Sequence, residues 1–197
     1  MKKIVLFLMI VFSVSLFATD VSNFDFKGIK LGISKDKVIK KMQKISSYSL
    51  EKTTPIYVGD KITGYQLVYS GENDEDFTFN FDKNQKLYEF WREIQLKKIA
   101  NINKIFNQIY AKYGQPEDIW DHLGLFQVSY GECERGEYYF KPIKNKKCFH
   151  ISLFKSDNTL NFMITDDSIY RINQKYQNTL KRKLYNKERQ KASRIDL

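Results

Sequence analysis

Short runs in which every second residue is large and apolar recur along this chain, and they limit its fold more than any other feature. Tyr65, Leu67 and Tyr69 form one such run, Phe77, Phe79 and Phe81 a second after an acidic turn at residues 71–76, and Leu160, Phe162 and Ile164 another. Successive side chains of a strand point to opposite faces, so this alternation predicts antiparallel sheet with one apolar face. A polar turn at residues 82–86 returns the chain into residues 87–96, where Tyr88, Phe90, Ile94 and Leu96 share a side. Trp91 then falls on the opposite face, beside Glu89 and Glu93, and is expected to be exposed. Further strand-like segments lie at residues 125–130, 137–142, 148–154 and 159–165, and His150 shares a strand face with Ser152 and Phe154.

Three stretches change to helical spacing. After Ser34, a candidate N-cap, Val38, Ile39, Met42 and Ile45 fall on one side and lysines on the other. After Asn101, another cap, Ile102, Ile105, Phe106, Ile109, Tyr110 and Tyr113 form a broad stripe that Gly114 and Pro116 end. A closing helix at residues 168–185 starts behind Asp166 and Asp167, whose charges suit its N-terminal end, and its stripe is Ile169, Ile172, Tyr176, Leu180 and Leu184. The stripe is lost after Tyr185, which makes residues 186–197 a basic, disordered tail. The expectation is one α+β domain at residues 19–185, an antiparallel sheet with helices packed on one face. Two helix-plus-meander units, 24–96 and 97–165, resemble each other. Phe81 and Leu87 flank a five-residue polar turn containing Asn84, and Phe154 and Leu160 flank another containing Asn158.

Lys2 and Lys3, then an uncharged apolar stretch, then small residues up to Ala18 read as a cleavable secretory signal at residues 1–18. Cleavage follows Ala18, or alternatively Ser15. No Cys stands after the apolar stretch for acylation, and no second apolar run follows, so the mature chain is expected in the periplasm or outside the cell. In that oxidising setting Cys133 and Cys148, the only two cysteines, are expected to form a disulfide. The loop they close adds about 3 kcal/mol by restricting the unfolded chain.

The formal charge is +10, from 33 Lys plus Arg against 23 Asp plus Glu, and much of the excess lies at the end of the chain. Lys181, Arg182, Lys183, Lys187, Arg189, Lys191 and Arg194 face only Glu188 and Asp196 there. Such a segment can contact an anionic membrane, polymer or partner. It can equally be a solvated tail that reflects a lysine-rich composition. Nucleic acid is disfavoured, because an exported chain meets little of it and phosphate recognition favours arginine over lysine.

Motifs for covalent hydrolysis and for phosphate cradles are absent from the sequence, and His122 and His150 are the only imidazoles. No cofactor, metal site or catalytic residue is nominated. The acidic run at residues 72–76 lacks the spacing of a calcium loop and reads as a solvated turn. Trp120 and most of the tyrosines read as core. A hydrolase of envelope polymers using two of Glu89, Glu93, Asp118 and Asp121 is the enzymatic alternative, since carboxylates distant in sequence can converge in space.

The segment Gly28-Ile29-Lys30-Leu31-Gly32-Ile33-Ser34, running into Val38, resembles the opening of small exported bacterial proteins in which a Leu-Gly-x-Ser turn starts a helix. These have folds like the β-lactamase inhibitor protein and the small lipoprotein of the outer-membrane barrel-assembly machine. Tyr113-Gly114-Gln115-Pro116 is similar to the Gly-x-Pro that ends the helical part of such a unit. The acylated Cys and a Gly-x-Pro in the first unit are missing, and the basic closing helix is not part of the pattern. The resemblance implies helices stacked on an antiparallel sheet and a non-catalytic binding or assembly role, and it nominates no single partner; an envelope protein is the expected one. No functional residue is transferred by it.

Overall fold

The computed structural model describes residues 26–72, 74–97, 101–122, 124–136 and 140–192. The signal segment lies outside them, as do Arg194 and the three residues before Phe140. The chain is α+β, with ten strands and three helices among the described residues. Helix α1 (Lys35–Met42) precedes a meander of β1 (Tyr48–Val58), β2 (Lys61–Gly71), β3 (Glu75–Asp82) and β4 (Leu87–Gln95). Helix α2 (Ile102–Tyr113) precedes β5 (Asp118–His122), β6 (Leu125–Gly131), β9 (Lys147–Phe154) and β10 (Thr159–Asp166), with the small hairpin β7 (Cys133–Arg135) and β8 (Phe140–Pro142) set between β6 and β9. Helix α3 (Asp167–Ala192) closes the chain.

Eight strands form one antiparallel sheet in the order β1-β2-β3-β4-β10-β9-β6-β5. This order is symmetric: each half is a helix followed by four strands, and the last strand of each half pairs with the last strand of the other. The five-residue turns noted in the sequence occupy equivalent places, between β3 and β4 and between β9 and β10. Each carries a left-handed residue at its fourth position, Gln85 (φ 60°) and Asn158 (φ 58°). They close differently: Phe81 pairs with Leu87, leaving Tyr88 as a bulge, whereas Phe154 pairs with Thr159.

The alternating apolar residues point to one face. Leu67, Phe79, Phe90, Ile164, Phe149 and Tyr130 stand in register across six strands, and all are buried. Helices α1 and α2 cover this face through Val38, Met42, Phe106 and Ile109, which join the same core. Tyr88 does not join it; the bulge turns its ring to Tyr170 of α3, 5.8 Å between centroids. The Asn101 side chain accepts from the Lys104 amide, as a cap should, and Gly114 ends α2 at φ 85°, a conformation costly for other residues. Ser34 stands at the N-cap of α1 without a side-chain bond; the Lys35 amide donates instead to the Gln85 carbonyl in the β3–β4 turn.

Helix α3 crosses the ends of β10, β4, β3, β2 and β1. Asn173 is buried and accepts from the Lys83 amide, Gln177 donates to Thr63, and Leu180 is buried. Gly64 lies under this contact: a Cβ there would meet Asn173 Nδ2 of α3 at 3.7 Å and would lie 2.6 Å from the Phe81 carbonyl oxygen of the neighbouring strand β3. Two expectations are corrected. Ile172, expected in the apolar stripe, is 62% exposed; the seated side runs through Tyr176, Leu180 and Leu184 of that stripe and adds Tyr170 and Asn173. The helix also continues past Tyr185 to Ala192. The residues there are mostly good helix formers, which propagate a helix that is already nucleated and docked.

Cys133 and Cys148 form a disulfide with Cα atoms 5.1 Å apart. It ties the β7–β8 hairpin to β9. No helix of the described residues is long and apolar enough to cross a membrane.

Candidate functional site

The second face of the sheet carries the other half of each alternation, and α1 and α2 do not cover it. Between β2 and β6 it forms a groove of about 660 Å³. Its rows follow from the strand register. Gln66, Asn80, Glu89 and Thr165 form the first, Val68, Thr78, Trp91, Met163 and His150 the second, and Asp76, Glu93, Asn161, Ser152 and Gln127 the third. Leu125 and Phe154 close the far end.

The first row is a hydrogen-bonded chain across four strands. Gln66 Nε2 donates to Asn80 Oδ1 at 3.0 Å, Asn80 Nδ2 donates to Glu89 Oε2 at 2.8 Å, and Thr165 Oγ1 donates to Glu89 Oε1 at 3.2 Å. Burial pushes the Glu89 carboxyl above the usual carboxylate range, against the opposing pull of Asn80, Thr165 and Trp91. Across the groove, Gln127 Nε2 donates to Ser152 Oγ at 2.8 Å, and both residues are buried. His150 is buried beside them, and loss of hydration lowers its imidazole to about 4, so it is neutral at physiological pH.

Trp91 is 46% exposed at the centre of this face, with Thr78 and Met163 as its cross-strand neighbours. Glu89 and Glu93 flank it on β4, and Glu93 stands directly opposite Asp76 on β3, both exposed. Facing carboxylates repel each other, and among the described residues neither forms an ion pair. The groove is thus a set of fixed donors and acceptors around an accessible indole with negative charge at one side. Such an arrangement can orient a ligand by hydrogen bonds and hold part of it by ring contact.

The four acids considered from the sequence do not come together. Only Glu89 and Glu93 line the groove. Asp118, on the edge strand β5, is paired with Arg135, whose hydrogen bonds hold its carboxyl below the usual range, and Asp121 accepts from Lys155 Nζ at 3.1 Å. His122 stacks on Trp120, 6.0 Å between centroids, away from His150. Lys181, Arg182, Lys183, Lys187 and Arg189 lie exposed on the far half of α3 and form no ion pair among the described residues. Lys191 is the penultimate residue of α3, and Arg194 lies outside the described residues. Asn80 and Gln127 went unnoticed in the sequence, where polar residues between apolar ones read as ordinary solvent-facing positions, and Ser152 was placed on a face with His150 and Phe154 but given no role. The only available signal was their place on the same strand faces as Trp91 and His150.

Comparison of the chain with family models, with curated proteins and with solved structures gives no match.

Proposed function

We propose that this chain is an exported, non-catalytic binding or assembly protein of the bacterial cell envelope, and that its partner lies in the groove around Trp91. The observation that carries this reading is a sheet face that α1 and α2 leave uncovered, whose polar side chains are fixed by one another while a large aromatic ring stays accessible. Fixed side chains lose little freedom when a partner arrives, which favours binding. A tryptophan at the middle of a concave surface is a common anchor of protein interfaces. The disulfide fits an oxidising compartment. On this reading the resemblance of residues 28–34 to the small exported helix-and-sheet proteins extends from architecture to role.

Site-specific photo-cross-linking in the native envelope tests it. A photoreactive residue in place of Trp91 is expected to capture a discrete protein partner that the same residue at Tyr57, exposed on β1, does not. Equal capture from both positions, or none from Trp91, would reject the groove as the site.

A second reading has its own observation. Helix α3 continues beyond Leu184, the side chain that meets Gly59, and carries Lys187 and Arg189 exposed past that contact. This extension suits an anionic membrane or polymer surface. Ending the chain at Tyr185 keeps the seated part of α3. It should abolish sedimentation with phosphatidylglycerol vesicles at low salt, and undiminished sedimentation would exclude the extension as the contact.

A further inference from the structure

The groove is a negatively charged island on a basic protein. The chain has 33 Lys plus Arg against 23 Asp plus Glu, yet no Lys or Arg lines the groove among the described residues, whereas Asp76, Glu89 and Glu93 do. An anionic partner would meet uncompensated repulsion there. The three acids surround one accessible ring: Glu89 and Glu93 stand two residues to either side of Trp91 on β4, and Asp76 is the cross-strand partner of Glu93. The face of an indole attracts a cation, and carboxylates nearby strengthen that attraction. A cation placed there would also relieve the repulsion between Asp76 and Glu93.

The shape narrows the occupant further. The groove crosses six strands, which at ~4.8 Å spacing is a length of about 24 Å. It is open, and at ~3.4 Å per residue that length matches about seven residues of extended chain. Polar groups able to meet a peptide backbone, on Gln127 and Ser152, lie at the end away from the acids, with Asn161 between Ser152 and Glu93, and Leu125 and Phe154 offer apolar contact at that end.

We infer that the groove takes an extended, basic polypeptide segment and seats a lysine or arginine side chain against Trp91 between the carboxylates of Glu89, Glu93 and Asp76. This rests on the groove being the binding site, and it names the chemistry of what binds. The side chain enters with its charged end at the acids and its methylene stem along the indole and the Met163 thioether.

The test follows the Trp91 indole N–H signal by NMR in the full mature chain, assigned by its loss in Trp91→Phe. Three heptapeptides are titrated, identical except for lysine, ε-acetyl-lysine or glutamate at the centre, with spermidine as a small-amine control. The lysine peptide should give a saturable shift and bind at least tenfold more tightly than the other two. Glu89→Gln combined with Glu93→Gln should remove that preference, with the amide spectrum elsewhere showing an intact fold. Equal binding of all three peptides would overturn the cation seat and leave the groove as a peptide site. Spermidine binding as tightly as the lysine peptide would overturn the polypeptide assignment. No shift with any probe would overturn both this inference and the groove reading.

Discussion

The same strands build two faces that do opposite things. On one, Leu67, Phe79, Phe90, Ile164, Phe149 and Tyr130 are pressed under α1 and α2 into a continuous core. On the other, one residue away, Gln66, Asn80, Glu89 and Thr165 bond to each other across the same ladders, and Trp91 stays in reach of solvent. The first face holds the sheet together by burying apolar area. The second adds little of that kind and is fixed by hydrogen bonds, whose net contribution is small but whose geometry is strict.

Substitutions should separate the two faces most sharply at their centres. Phe79→Ala removes a fully buried ring and should lower the unfolding free energy by about 3–5 kcal/mol in a denaturant titration. Trp91→Ala, across the sheet, should change it by less than about 1 kcal/mol while eliminating the cross-link from the groove. A loss at Trp91 as large as that at Phe79 would mean that the second face is core as well.

Acid should act on the groove side. His150 binds a proton with a pKa of about 4 in the folded chain, below its ordinary value, so the unfolded chain takes up more protons in between. The His150 contribution is therefore intact above about pH 6.5 and is lost as pH falls toward 4, by about 3 kcal/mol in all. Melting curves between pH 7 and 4 should show this decline, and His150→Gln should flatten it. Removing the disulfide with Cys133→Ser and Cys148→Ser should cost about 3 kcal/mol through the unfolded chain. Amide exchange should then rise first in the β7–β8 hairpin, which the bond ties to β9.

The smallest effect is the most diagnostic for the second face. The Glu89 carboxyl is raised by burial, so its charge opposes folding, and that opposition grows as pH rises through its titration. Glu89→Gln keeps the shape and the bond from Asn80, and its melting temperature at pH 7 should be unchanged or higher. A residue whose charge the fold tolerates poorly, and whose removal stabilises, is kept for something other than stability. A clear drop in melting temperature would show Glu89 to be structural.

Much of the first face was legible, since large residues at period two can only be strand and the apolar side must be covered. The closing turns, the Asn101 cap and the Gly114 stop were legible for similar local reasons. β1 was not, because Tyr48–Val58 is an edge strand with bulges and Pro55, so its pattern is irregular and largely exposed. The run of α3 was misread at Ile172 and in its length, while Tyr176, Leu180 and Leu184 were legible; the polar contacts of Asn173 and Gln177 on the same side leave no mark in a hydropathy stripe. Of the groove, only two strand faces could be read, Trp91 with Glu89 and Glu93 and His150 with Ser152 and Phe154, and not that they meet. Its rows depend on the register between β4 and β10, strands separated by more than sixty residues, and a slip of one residue would exchange every side chain between the faces.

The symmetric strand order leaves the two halves of the sheet joined by one strand ladder, β4 to β10, with α3 as a second tie at the strand ends, and the groove lies across that ladder. A ligand seated there touches residues from both halves and acts as a clasp over that joint. Its binding free energy is then added to the cost of parting the halves, so occupancy should make the whole sheet open as one unit where the empty protein can yield first along the seam.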